Sequence, residues 1–196
     1  MTWAPDYCTT ADLKAYLRVT DAVDDVQLAL AVTTASRAID KAVGRQFGQL
    51  AAATQWEYTA FWDRRIKRWV VPIEDLDTTT GVVVTILGVV TTDFEYGPRK
   101  AVAKGKVWTH LVLGSAVAAS SDDGDVEITA KWGWTAVPTA VKQACLLQAS
   151  RFMARRDSPY GIAGSPSDGS EMRLLATVDP DVRVSLGPYV RAWGLA

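Results

Sequence analysis

The hydrophobic period of this chain switches twice, and that double switch restricts its fold more than any other feature. Over residues 10–43 apolar side chains recur at three- and four-residue steps, the spacing of helices buried along one stripe. Over residues 54–134 the chain is instead β-branched and aromatic, punctuated by turn formers. From residue 138 to 156 the helical period returns. Helices on both sides of a β-rich middle are not the alternation that a parallel βαβ sheet demands. The expected class is therefore α+β: a helical core, made of an N-terminal helix pair and a long later helix, interrupted by an antiparallel β-rich insertion and followed by an extended C-terminal arm. The corresponding segments are 1–53, 54–134, 135–156 and 157–196.

Local signals place the elements. Thr9 is an N-cap residue with Asp12 three positions on, the spacing of a capping box, and a short helix is expected from Thr10 to about Arg18. A second helix is expected from about Ala22 to Val43, capped by Asp21 and stopped by Gly44. Its inward stripe reads Leu28, Val32, Ala35, Ile39 and Ala42. The segments QWEYTAF, RRIKRWVVPI, GVVVTILGVV, TDFEYG, KVWTHLVL and DVEITAKWGW read as five or six short strands. Gly81, Gly88, Gly97-Pro98, Gly105 and SSDDGD mark the turns between them. A small antiparallel sheet, sandwich or barrel follows, with Val126, Ile128 and Ala130 sharing a face with Trp132 and Trp134. Pro138 opens the last long helix, where its missing N–H costs nothing. Val141, Cys145, Gln148, Ala149 and Phe152 should face inward, with Lys142, Gln143 and Arg151 outward.

Composition excludes several function classes. The chain has 196 residues, 48% of them apolar and 22% charged, which suits a folded globular protein. Its longest apolar runs fall far short of the roughly 20 residues that span a bilayer. MTWAPDYCTT has neither the basic nor the apolar region of a signal peptide, so a cytoplasmic site of synthesis and folding is expected, with no membrane partner. Cys8 and Cys145 are the only cysteines; their spacing permits a disulfide, and two buried thiols are the expectation for a reducing compartment. One histidine and two distant cysteines make no zinc pattern, and no Walker or dinucleotide fingerprint is present, so no cofactor is expected. A net charge of −1 lacks the basic excess of a protein that grips duplex DNA. Eight tryptophans suit large buried contacts, including those within an assembly.

Candidate chemistry is sparse. His110 alternates with Trp108 and Val112 on an expected strand, and catalysis there would need partners such as Ser115, Asp122 or Asp123. No nucleophile elbow surrounds them. An enzyme is not expected. Arg64, Arg65, Lys67 and Arg68, flanked by Trp62 and Trp69, form the sharpest charge feature. They read either as a DNA or subunit contact or as a solvated hairpin. After the Gly/Ser/Pro-rich run RDSPYGIAGSPSDGS, apolar residues return: Leu174, Leu175, Val182, Leu186, Tyr189 and Trp193 are expected to dock on a neighbouring chain, with docking on the parent domain as the alternative.

Two stretches carry a resemblance. TTADLKAYLRVTDAVDDVQLALAVTTASRAIDKAVGRQFG gives a short capped helix, an acidic turn and an Ala-rich helix closed by G-R-x-F. ITAKWGWTAVPTAVKQACLLQASRFMARRDSPYG gives a strand ending in Gly-Trp, V-P-x-x-V-K-x-A opening a helix, and R-R-D-x-P after it. In order and separation both resemble the head–tail connector (head-completion or adaptor) proteins of siphophages. The resemblance implies a structural virion protein: twelve copies in a ring beneath the portal protein, prolonging the DNA channel and offering the attachment surface for a stopper or tail-terminator protein. Duplex DNA would pass through the lumen without tight binding, and the protein would reside in the virion neck. A tail-completion or stopper protein of the same neck, or a DNA-binding module, are the alternative readings.

Overall fold

The computed structural model describes residues 4–122, 124–156, 162–163, 172–173 and 180–191. The chain divides into two compact units: Gln46–Ala136 with Met1–Ala4, and Pro5–Arg45 with Val137–Ala196. The class is α+β, with four α-helices and antiparallel sheets among the described residues.

The helical unit contains α1 (Thr10–Leu17), α2 (Asp25–Val43), α3 (Thr139–Arg156) and α4 (Pro180–Leu186). The capping box at α1 forms as its sequence requires: the Asp12 N–H donates to Thr9 Oγ1 at 3.0 Å and the Thr9 N–H donates to Asp12 Oδ2 at 2.9 Å. Helix α2 begins at Asp25 and not at Ala22, because Asp21 accepts the Val23 N–H in a turn and Asp24 takes the cap position. Gly44, at φ 67°, ends it, its N–H donating to the Asp40 carbonyl. Leu28, Ala31, Val32, Ala35, Ser36, Ile39 and Val43 are buried; Val43 takes the place expected of Ala42, which is exposed. Helix α3 presents Val141, Ala144, Cys145, Leu146, Gln148 and Ala149 to α1 and α2. Phe152 and Arg151 are half-buried, so the stripe closes one turn earlier than its period suggests. Small residues on both helices permit the close approach.

Residues ahead of α1 are held on α2 by a set of polar contacts that the helical pattern does not announce. The Tyr7 N–H donates to Ser36 Oγ at 3.0 Å, and the Tyr7 hydroxyl donates to the Asp40 carboxylate. Arg37 donates to the Pro5 carbonyl at 2.7 Å, and the Thr33 hydroxyl donates to Asp6 at 2.9 Å. Tyr7 itself is buried.

Asp12 makes this unit sensitive to acid. The Thr9 backbone N–H, Lys142 and the Thr9 hydroxyl lower its carboxyl from an ordinary 3.8 to about 2. A pKa depressed in the folded state adds stability above the unfolded value, and that stability is lost as pH falls through the folded one. Asp12→Ala should therefore cost about 1 kcal/mol at neutral pH. The difference from the parent should shrink as pH falls from about 4 to about 2. Urea unfolding at several pH values measures it; a gap that does not change with pH would exclude this origin.

Among its described residues the β unit has eight strands: β1 (Thr54–Tyr58), β2 (Phe61–Asp63), β3 (Arg68–Leu76), β4 (Val83–Ile86), β5 (Val89–Thr91), β6 (Phe94–Gly97), β7 (Trp108–Leu113) and β8 (Val126–Ala130). They form two four-stranded antiparallel sheets, ordered β1-β8-β4-β5 and β2-β3-β7-β6. The strand count exceeds the expected five or six because two apolar runs each split. QWEYTAF passes from one sheet to the other between Tyr58 and Phe61, at the buried Ala60. GVVVTILGVV folds back at Leu87-Gly88, both at positive φ, the geometry of a two-residue hairpin loop. Pro72 lies on the interior strand β3, and the register to β7 shifts just beyond it, as expected of a residue with no N–H to give.

One core serves both sheets. It contains Val71, Ile73, Leu76, Leu111 and Leu113 from one sheet and Val84, Ile86, Val126, Ile128 and Ala130 from the other, with Trp132 fully buried beside them. Strand β8 alternates buried and half-buried, and Trp134 is buried as well, so the face read from DVEITAKWGW is the inward one. The Trp134 indole N–H donates to the buried Asp75 carboxylate at 2.8 Å.

Candidate functional site

Strands β2 and β3 form a hairpin whose tip is Arg64, Arg65, Ile66 and Lys67. Asp63 shapes the tip by accepting the Arg65 N–H at 2.7 Å and the Ile66 N–H at 3.3 Å. Lys67, at φ 52°, completes the turn into Arg68. The four cations named from the sequence then part company. Arg64, Arg65 and Lys67 are exposed, whereas Arg68 turns into its sheet. Arg68 donates through Nε to the Leu113 carbonyl at 2.7 Å and pairs with Glu95 at 3.1 Å. Glu95 is shared with Arg99, and the two arginines, Arg99 first, hold its carboxyl below the ordinary value. Arg68 is thus a structural side chain, and the free positive charge of the tip is carried by the other three.

Aromatic rings sit behind that tip. Trp62 and Trp69 face each other across the hairpin with ring centroids 5.5 Å apart and planes at 73°, and Trp62 keeps 49% of its surface exposed. Exposed cations and an exposed indole on one hairpin can take phosphate oxygens, carboxylates or a flat surface of another subunit.

The C-terminal candidates are distributed differently. Leu174, Leu175 and Trp193 lie outside the described residues. Val182 and Leu186, both on α4, are 1% exposed, and α4 packs against α3. The Arg191 N–H donates to the Val43 carbonyl at 2.8 Å, tying the segment after α4 to the end of α2. The expectation that Val182 and Leu186 dock on a neighbour is therefore corrected: docking on the parent unit, the alternative, accounts for both. The reason is geometric, since a single short helix can bury its two apolar positions at i and i+4 against one adjacent helix. Tyr189 is half-buried.

His110 lies on β7 opposite Pro72 and Gly97, its ring so close over Gly97 that a methyl there would meet it. Burial pushes its pKa down. Among the described residues no hydrogen bond joins it to a serine or a carboxylate. Asp123 lies outside them. No group of three or more His, Cys, Asp or Glu able to hold a metal exists among the described residues, and no described helix is long and apolar enough to cross a membrane.

One surface escaped the sequence reading. Val26 and Leu30, one turn apart on α2, are 79% and 67% exposed, and Val23 just ahead of the helix is more exposed still. The signal was present, since these residues lie off the Leu28–Val32–Ala35–Ile39 stripe, but amphipathic reading attends to the buried face.

No protein family matches this chain, and no curated protein sequence matches it. Its fold is similar to that of a chain in a solved structure described as the neck of an empty gene transfer agent (GTA) particle computed with C6 symmetry. That match has 17% identity, covers 100% of this chain and 95% of the other, and has a TM-score of 0.56. A chain of the neck of the native GTA particle computed with C12 symmetry also matches, at 17% identity over the same shares, with a TM-score of 0.47. A third match is to a chain of the virion of the native GTA particle, at 18% identity, again covering 100% and 95%, with a TM-score of 0.48.

Proposed function

We propose that this chain is a structural protein of the neck of a phage-like particle, a head-to-tail adaptor that forms a homo-oligomeric ring beneath the portal and extends the DNA channel. The observation that carries the reading is the fold match along the whole chain to a chain of a particle neck, and the two motif stretches read from the sequence support it. Twelve copies, contact with a portal above and a stopper or tail terminator below, and residence in the virion neck belong to the same proposal. No catalytic step is assigned to His110 or to any other residue.

The physical properties suit the role. A head-to-tail contact between unlike faces closes into a ring when the rotation per copy permits. The exposed Val26 and Leu30 are apolar area of the sort such contacts cover. A lumen that must let DNA slide cannot neutralise many phosphates, because each such contact adds salt-dependent affinity. A net charge of −1 accords with that demand. Reconstruction of the particle neck tests the reading: multiple symmetric copies of this chain next to the portal are expected, and particles that lack it, or hold one copy, would overturn it.

The hairpin tip is proposed as the contact with a neighbouring subunit or with DNA. Replacing Arg64, Arg65 and Lys67 together by Glu should change stability by only about 0.5 kcal/mol, since all three are exposed. Assembly of tailed particles should nonetheless fall about tenfold or more, the effect of reversing charge in a contact. Equal yields from parent and variant would remove the tip from the contact surface. Salt-sensitive retention of the isolated parent on DNA, lost in the variant, would assign the tip to DNA.

A further inference from the structure

Cys8 and Cys145 are 137 positions apart, and the helical unit brings their Sγ atoms to 3.3 Å. Both are buried and both are free thiols. The separation exceeds a disulfide bond of about 2.05 Å by only about 1.3 Å. Cys145 is fixed within α3, with Ser36 Oγ at 3.4 Å from its sulfur. Cys8 belongs to the non-helical segment ahead of α1, whose main chain can shift more readily than a helix interior. That segment is anchored on either side of the cysteine, by Tyr7 to Ser36 and by the Thr9 cap of α1. The fold therefore holds the two thiols in register, one within a helix and one outside any helix.

We propose that Cys8 and Cys145 are a cross-linking site, which a low-molecular-weight disulfide converts to an intramolecular disulfide tying the segment ahead of α1 to α3. The exchange balances in two steps. Cys8 retains slight exposure and Cys145 none, so the Cys8 thiolate attacks the reagent, forming a mixed disulfide and releasing one thiolate. The Cys145 thiolate then attacks Cys8 Sγ, the new bond forms, and the second thiolate leaves. Two protein thiols lose two electrons and two protons, and the reagent's sulfur–sulfur bond accepts them as two thiols. The hydrogen bond from the Cys8 thiol to Cys145, followed by burial, pushes the Cys8 thiol up, while the same hydrogen bond favours the Cys145 thiolate. The first step is accordingly slow in the folded chain and faster before the segment docks during refolding; in the second, with the Cys8 proton gone, Ser36 Oγ at 3.4 Å is the neighbour that favours the Cys145 thiolate. In the neck role proposed above, the link would form after a particle leaves the reducing cell interior, a consequence that rests on that reading, whereas the cross-link itself does not.

The isolated full chain tests it. Refolding from urea in excess oxidised glutathione should give a monomer whose proteolytic digest contains one peptide pair joined through Cys8 and Cys145. Its melting temperature should exceed that of the dithiothreitol-treated chain by about 10 °C, as expected when a long loop is closed. Cys8→Ser and Cys145→Ser should each remain folded, as read by circular dichroism, and lose that increment. Recovery of the parent with both thiols free, with glutathione on separate cysteines, or with links between copies would overturn the proposal. So would a linked monomer with an unchanged melting temperature. Because no particle is involved, any of these results leaves the neck assignment untouched.

Discussion

Gly133→Ala is expected to destabilise the β unit by more than about 3 kcal/mol, enough to leave much of it unfolded. Gly133 sits at φ +104°, outside the range that L side chains adopt readily. A Cβ built there would lie 1.9 Å from the Gly48 carbonyl oxygen and 3.0 Å from the Gln49 Cα, both backbone atoms with no rotamer to change. The chain cannot move aside cheaply, because Gly133 bridges two segments. Its N–H donates to the Asp75 carbonyl at 2.6 Å, and the next N–H, of Trp134, donates to the Gly48 carbonyl at 2.9 Å. Trp132 and Trp134 on either side are buried and would be displaced with it. Gly81 supplies the control: its φ is +74° but nothing lies within 4 Å, so Gly81→Ala carries only the conformational cost of about 1 kcal/mol. Urea unfolding followed by tryptophan fluorescence reports the right unit, since Trp56, Trp62, Trp69, Trp108, Trp132 and Trp134 all lie in it. Similar midpoints for Gly133→Ala and Gly81→Ala would show that close approach at Gly133 contributes little.

Trp132→Ala should cost about 3–5 kcal/mol, the range for deleting a large buried aromatic side chain. Its indole is fully buried and lies parallel to Trp56, with ring centroids 5.0 Å apart and planes within 1°. Tyr58 meets it at 5.5 Å, and its Nε1–H donates to the Thr54 carbonyl at 2.9 Å. Three residues of β1 thus rest on one side chain just beyond β8. The alanine variant would leave a cavity against β1 and an unpaired carbonyl. Trp132→Phe retains much of the packing and loses only the donor, so it should cost about 1–3 kcal/mol. The pair of variants separates volume from hydrogen bonding. Near-ultraviolet circular dichroism should lose the signal of the stacked indoles in both. An alanine variant within about 1 kcal/mol of the parent would mean that the site collapses around the deletion or that Trp132 packs less tightly than its burial indicates.

Much of the candidate site was legible because it is local. A run of cations between two tryptophans on strands must turn, and the tip residues of that turn are exposed wherever the hairpin lies. Arg68 was not separable from its neighbours, since its partners Glu95 and the Leu113 carbonyl come from β6 and β7, remote in sequence. Val182 and Leu186 were recognised as needing a hydrophobic surface, but nothing near them in the chain states whose surface it is. The structure supplies it from α3.

Element type, the capping box at Thr9, the stop at Gly44 and the inward face of β8 were determined by the sequence alone. Each depends on contacts within a few residues or on a period that one buried face imposes. Tertiary structure decided the rest: the division of the middle segment into two sheets, the strand order, the burial of α4, the seat of Tyr7 on α2 and the meeting of Cys8 with Cys145. Those outcomes depend on which faces find each other across separations that run from 29 residues for Tyr7 and Ser36 to 137 for Cys8 and Cys145. Many pairings satisfy the same local pattern, and only close packing, in which a methyl at Gly133 has no room, selects one of them.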